Sequence, residues 1–321
     1  MISEFSTQRD PINCASRRLL KAFFVPVLGS IFLHSLVSAS AIDAAEPSVS
    51  LVVLGDRTGG HRPGVFEYAV EQTAALNPDR VLSVGDLIEG YSDSPDVIDQ
   101  QWREVEAMLT PIRDKLIAAP GNHDISSAMT RDHWRSRFGS TYQAQRINDV
   151  LVIALDTEDP PVVPSPDILQ KTLALEHAMA RDPEGTQARL LAMAANREAP
   201  VDLPGDSHLS ETQVAWALGA LEDNSDVALT ILLMHKPAWR NPDSGFATIE
   251  AAVQDRETLV IAGHEHYFEE TERNGIPFII MGTCGGIWLR EGPGRLDHIL
   301  HITSANGRYS LVSIAVDLEA K

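Results

Sequence analysis

The sequence predicts an α/β domain built in layers. Short β-branched apolar runs alternate with segments of helical apolar spacing, and most of the runs end abruptly in a glycine beside a polar residue. The chain, 321 residues long and 44% hydrophobic, is large enough to bury a core between such layers. Residues 49–55 (VSLVVLG), 80–85 (RVLSVG), 115–121 (KLIAAPG), 150–156 (VLVIALD), 228–235 (ALTILLMH) and 258–264 (TLVIAGH) are short and almost continuously apolar. That pattern predicts strands buried on both faces. Between them, 64–76, 97–109 and 210–222 predict helices. Towards the end, IPFIIMG, HILHIT and YSLVSIAV predict further strands in tight succession, punctuated by Gly and Asn.

Two segments stand outside this rhythm. The first 41 residues have a basic stretch (Arg17, Arg18, Lys21), an apolar stretch from Ala22 to Val37 and an A-x-A arrangement at Ala39 and Ala41. They predict a secretory signal peptide and an exported protein, periplasmic or secreted. An uncleaved anchor is the competing reading, disfavoured because the apolar stretch is short for a membrane span. The paired arginines also resemble a twin-arginine export signal. The second segment, residues 157–209, has Pro-rich ends around a helical pair broken at Asp182-Pro183. A connection this long predicts either a lid or a surface embellishment on a domain spanning 47–318.

Charge and cysteine content exclude other classes. The formal net charge is −19, and loss of residues 1–41 would remove four basic and two acidic residues. A surface so acidic repels polyanions, so no nucleic-acid polymer is expected as a partner, and no stable membrane span once the signal is cleaved. Cys14 lies in the signal, which leaves Cys284 without an intramolecular partner and expected to be buried.

The chemistry gathers at strand ends. Gly55-Asp56, Gly85-Asp86, Gly121-Asn122-His123-Asp124, His235 and Gly263-His264-Glu265-His266 each follow an apolar run. In open α/β sheets ligands bind beyond the carboxyl ends of the strands, where carboxylate, carboxamide and imidazole groups would converge as metal ligands. Any one Gly-Asp reads as a turn or cap, and any one histidine as a core residue. Five in succession are poorly explained that way.

This series, GD…GD…GNHD…H…GHEH, resembles the calcineurin-like metallophosphoesterase superfamily from about Ser48 to Val316. The resemblance implies two mixed β-sheets sandwiched between helices and a metal-dependent phosphoester hydrolase, either a phosphomonoesterase or a phosphodiesterase, with a small phosphoester as substrate. It implies two divalent or trivalent ions (Mn, Fe, Zn or Mg) about 3.5–4 Å apart, with a hydroxide between them for in-line attack. Asp86 would bridge the ions, Asn122, His235 and His264 would hold one, and Asp56 and His266 the other. His123 would assist the leaving oxygen, with Asp124 holding its ring.

The first motif departs from the family. Asp-x-His is usual there, whereas Asp56 is followed by Arg57 and Thr58. The half-site with Asp56 and His266 is therefore expected to bind its ion more weakly. Glu89, three residues after Asp86, and His61 are the candidate replacements, behind a vacancy filled by water. Arg57 is expected to be an outward surface residue, or else a guanidinium aimed into the cleft. A non-catalytic, metal-binding member of the fold is the alternative function.

Overall fold

Eleven strands form two mixed sheets in the computed structural model, which describes residues 49–161, 164–195, 207–305 and 307–320. In the five-stranded sheet, β1 (Val49–Leu54), β2 (Arg80–Ser83) and β3 (Leu116–Ala118) run parallel. The hairpin β10 (His298–Ala305) and β11 (Arg308–Ala315) joins them antiparallel at β1, giving the order β11-β10-β1-β2-β3. The six-stranded sheet contains β4 (Gln143–Ile147), β5 (Val150–Ala154), β6 (Leu229–Leu233), β7 (Thr258–Ala262), β8 (Glu269–Arg273) and β9 (Ile276–Ile280). Its order is β4-β5-β6-β7-β9-β8, parallel from β5 through β9 with an antiparallel strand at each edge.

Strand periodicity builds the layers. Val49, Leu51 and Val53 of β1 point into a core shared with Val150, Val152, Ile231 and Ile261 of the other sheet. Val52 and Leu54 point the opposite way, onto α1 (Val65–Leu76) and α2 (Pro95–Leu109). On the far face of the second sheet, Ile153, Leu232 and Val260 pack under α6 (Glu211–Asp223) and α7 (Phe246–Ala252). The result is the expected two sheets between helical layers. Every predicted strand and helix is present.

Sequence reading missed β4, β8, α7 and α3 (Ala128–Phe138). The two strands, QAQRI and EETER, are edge strands with few apolar side chains. In α3 only Thr130, Arg131 and Trp134 are buried, and a capping box between Ser127 and Thr130 starts the helix instead of an apolar stripe. The expected signal segment, 1–41, lies outside the described residues. No helix among them is long and apolar enough to cross a membrane.

The insertion leaves and rejoins the domain through a narrow neck. His208 N–H donates to Thr157 O at 2.9 Å, and Asp159 N–H donates to His208 O at 3.2 Å. Beyond the neck stand α4 (Pro166–Arg181) and α5 (Pro183–Ala195), broken at Asp182 as the proline requires.

The helical layer over the first sheet depends on Trp102, which is fully buried and meets Trp134 edge-on at 6.1 Å between ring centroids. Trp102→Ala is expected to lower unfolding free energy by about 3–5 kcal/mol in urea titrations.

Candidate metal centre

Each parallel strand of interest delivers its polar residue into one crevice between the sheet ends. Asp56 follows β1, Asp86 follows β2, the Asn122–Asp124 stretch follows β3, His235 follows β6, and His264 and His266 follow β7. Asp56, Asp86, His264 and His266 all have positive φ, between 50° and 73°. That conformation is uncommon outside glycine and is held only where surrounding contacts determine it. Two glycines make the crowding possible. A Cβ on Gly121 would lie 2.0 Å from Asp86 Oδ1, and one on Gly263 would lie 2.2 Å from Asp56 Oδ2.

The site has two overlapping groups. Asp86, His235 and His264 each offer a ligand atom within 4.8 Å of the others, and so do Asp56, Asp86 and His266. Asp86 belongs to both. His235 Nδ1 donates to Val84 O at 2.8 Å, so its Nε2 lone pair faces inward. There it meets Asp86 Oδ2 at 3.2 Å, Asn122 Oδ1 at 3.1 Å and His264 Nδ1 at 3.2 Å. In the other group, His266 Nδ1 donates to Ile287 O, and His266 Nε2 lies 3.7 Å from Asp56 Oδ1. Asp56 Oδ1 accepts from His264 N–H at 2.9 Å, while the buried Oδ2 has no hydrogen-bond partner among the described residues. Converging acceptor atoms with a buried orphaned oxygen fit a bound cation, and the carboxylate, imidazole and amide donors suit borderline transition metals.

Protonation shows the same strain. Burial raises Asp56 to about 7, against the opposing pull of His235. Burial would also raise Asp86, but His235 and His123 outweigh it and hold that carboxylate well below its ordinary range. Burial would lower His235, yet the adjacent Asp86 lifts it to about 9. Burial takes His266 down to about 4, and burial with the charge of His235 takes His264 well below its usual value. Without a cation, the centre keeps a proton on His235.

His123 lines the crevice beside these groups. Its N–H donates to Asp86 Oδ1 at 3.1 Å, its ring Nδ1 donates to Glu89 O at 2.7 Å, and Nε2 is 4.0 Å from Asp86 Oδ2. Asp124 does not hold this ring, contrary to the sequence expectation. Its fully buried carboxylate accepts from the amides of Asp86 (2.8 Å), Gly121 (2.9 Å), Leu87 (2.8 Å) and Ile88 (3.1 Å). The carboxylate shapes the turn that presents Asp86, and burial raises it to about 6. Sequence reading missed Tyr91, whose hydroxyl accepts from Asn122 Nδ2 at 2.9 Å and whose ring meets His123 edge-on at 4.7 Å. Its place five residues after Asp86 is the only signal the sequence offers.

The candidates for the missing ligand pair with each other. Glu89 is buried and accepts from the amides of Gly59, Gly60 and His61 at 3.0–3.3 Å, and from His61 Nδ1 at 3.0 Å. Three successive amides form a small anion nest, and burial, which opposes the charge, loses to these partners. Neither Glu89 nor His61 enters either ligand group. Arg57 is not an outward surface residue, and it lines the larger of two cavities beside Glu89. It is 4% exposed and donates to Leu87 O at 3.0 Å. Thr58 is buried too.

The insertion roofs the crevice. A cavity of about 180 Å³ over Asp86, Asn122 and His123 is lined by Thr172 and Leu175 of α4 and by Ile287 and Leu289. A second cavity of about 430 Å³ shares Gly60 and Glu89 with it and runs under Glu176 and Met179. Cys284 is buried away from both cavities. Burial pushes its thiol to about 12, and Sγ donates to His298 O at 3.1 Å.

Comparison with known proteins places the fold in a family. The model of the calcineurin-like phosphoesterase family matches residues 50–268. No curated protein matches the chain. Among solved structures, a dimetal phosphatase from Danio rerio superposes with a TM-score of 0.59 at 16% identity, over 85% of this chain and 98% of that one. A phosphoesterase from E. coli gives 0.37 at 12% identity over 84% and 100%. The Plasmodium protein GAP50, an anchor in the inner membrane complex, gives 0.45 at 13% over 84% and 85%. At 16% identity the likeness to the dimetal phosphatase is one of fold.

Cation binding requires His235 neutral and Asp56 ionised, so loading must expel protons. Affinity is expected to rise about tenfold per pH unit between pH 7 and 9, where only His235 titrates, and more steeply below 7, where Asp56 joins it. Calorimetric Mn²⁺ titrations across pH, in buffers of different ionisation heat, would read both the slope and the protons released. A flat profile would remove His235 from the ligand set.

Proposed function

Because the chain belongs to the calcineurin-like phosphoesterase family, we propose that it is an exported hydrolase of small phosphoesters working with two bound metal ions. The observation that carries this reading is the sharing of Asp86 between two ligand groups, one of which contains the orphaned Asp56 oxygen. Asp86, Asn122, His235 and His264 would hold one ion, and Asp56, Asp86 and His266 the other. Such a pair supplies Lewis acidity and neutralises charge on a phosphoryl group.

The chain's own residues do the rest. His123 has Nδ1 committed to the Glu89 carbonyl, so Nε2 is the nitrogen that exchanges a proton with the leaving oxygen. Tyr91 holds Asn122 through its hydroxyl, and Leu175, Ile287 and Leu289 give the crevice an apolar wall. The half-site with Asp56 and His266 holds its ion more weakly, because it has one side chain fewer and Glu89 is engaged in its nest. Arg57 donates to Leu87 O and belongs to neither ligand group.

Export rests on the N-terminal sequence pattern, and a small substrate on the size of the roofed cavity. Both monoesters and diesters fit this chemistry. Assays of p-nitrophenyl phosphate and bis-p-nitrophenyl phosphate with added Mn²⁺, beside elemental analysis of the purified protein, test the reading. A protein that binds two equivalents yet turns over neither ester would be a non-catalytic member of the fold.

Two outcomes are expected. His123→Ala should reduce turnover about 10²-fold or more while metal content stays at the wild-type level. Replacing residues 161–207 by a short Gly/Ser linker, closed at the neck, should raise the ratio of large to small ester turnover at saturating metal. An unchanged ratio in the folded variant would make the insertion an embellishment.

A further inference from the structure

A single peptide unit joins the insertion to the centre. The Ile287–Trp288 peptide offers its carbonyl to His266 Nδ1 and its N–H to Gln187 Oε1, the latter at 2.8 Å. Gln187 stands on α5, and its Nε2 also donates to Trp288 O at 2.7 Å. One side chain of the insertion therefore grips both backbone groups of Trp288. Gln187 is only 7% exposed, on a helical pair that is otherwise mostly solvated. An apolar side chain could fill the same space but would leave two backbone groups unpaired beneath α5.

The other side of Trp288 is clamped as well. Its ring stacks against the guanidinium groups of Arg62, 3.8 Å from the centroid, and Arg295, at 4.2 Å. Arg62 is itself tied to Asp297 and to Gly286 O. The plane of the peptide is therefore held by Gln187 of the insertion and by the two guanidinium groups stacked on the Trp288 ring. That plane sets where the Ile287 carbonyl points. The carbonyl in turn keeps the His266 proton on Nδ1 and presents Nε2 towards Asp56.

We infer that Gln187 is a positioning residue for His266, and that docking of the α4–α5 insertion and cation binding at Asp56, Asp86 and His266 are coupled through the Ile287–Trp288 peptide. The inference rests on reading that group as a cation half-site. With only three side chains there, the orientation of its one imidazole matters more than in the neighbouring group. The coupling is reciprocal: a docked insertion strengthens cation binding, and a bound cation holds the insertion down by the same factor.

Gln187→Met tests this, since methionine fills the space but can neither donate to nor accept from Trp288. Mn²⁺ alone is titrated calorimetrically into metal-free wild type and variant. The weaker site should lose about tenfold in affinity or more, as loss of a partner behind a ligating histidine does elsewhere, while the tighter site is unchanged. In wild type, Mn²⁺ should slow both hydrogen exchange across 286–290 and proteolysis within 183–195, and the variant should lose that protection. A weaker site unaltered in the variant, or wild-type exchange indifferent to Mn²⁺, overturns the coupling. If wild type binds no Mn²⁺ at all, the metal reading falls first and the coupling with it. If wild type and variant both bind two ions equally, only the coupling falls.

Discussion

Everything at the centre follows from burying two carboxylates in one crevice. Asp56 and Asp86 are both buried, burial opposes the charge of each, and the charge of Asp86 further raises Asp56. Water cannot solvate them, and the ion pairs they form among the described residues are with histidines. The compensation comes from imidazoles, backbone amides and the space left for a cation. The left-handed backbone at both aspartates and the bare glycines at 121 and 263 serve the same end, because a side chain at either glycine would strike a carboxylate oxygen.

A second pair of buried acids solves the same problem by another route. Asp124 is surrounded by four main-chain N–H groups and Glu89 by three, with His61 beside it. These are internal anions whose counter-charge is the polarity of the peptide backbone. One shapes the turn carrying Asp86, and the other shapes the loop that begins at Asp56. The acids of the centre stand on a scaffold held by acids that never enter it.

This division explains what could be read from the chain. Strands β1, β2, β3, β6 and β7 are buried on both faces, so their apolar runs stand out, and the polar residue after each run is visible as an interruption. Those interruptions include all six proposed ligands. The tasks of Asp124 and Glu89 were not visible, because an amide nest depends on the direction of backbone N–H groups, which side-chain identity does not encode. Arg57 was misplaced because alternation along a strand says nothing once the chain turns at Gly55-Asp56. The insertion showed the break between its two helices through Pro183. Its position over the crevice depends on Met179 meeting Gly60 and Gln187 meeting Trp288, contacts between residues about a hundred positions apart.

The polar edge strands have a consequence of their own. The six-stranded sheet stops at β4 and β8, whose outermost backbone groups would otherwise template another chain. In β8, Glu269, Glu270, Glu272 and Arg273 place charge along that rim, and in β4 Arg146 reaches out to Asp226. A second copy approaching either edge in register would have to strip water from these groups and, at β8, bring glutamates against glutamates. Together with a net charge of −19, this rim makes growth of the sheet by self-association costly. The residues that hide these strands from an apolar-pattern reading are the ones that keep the sheet finite.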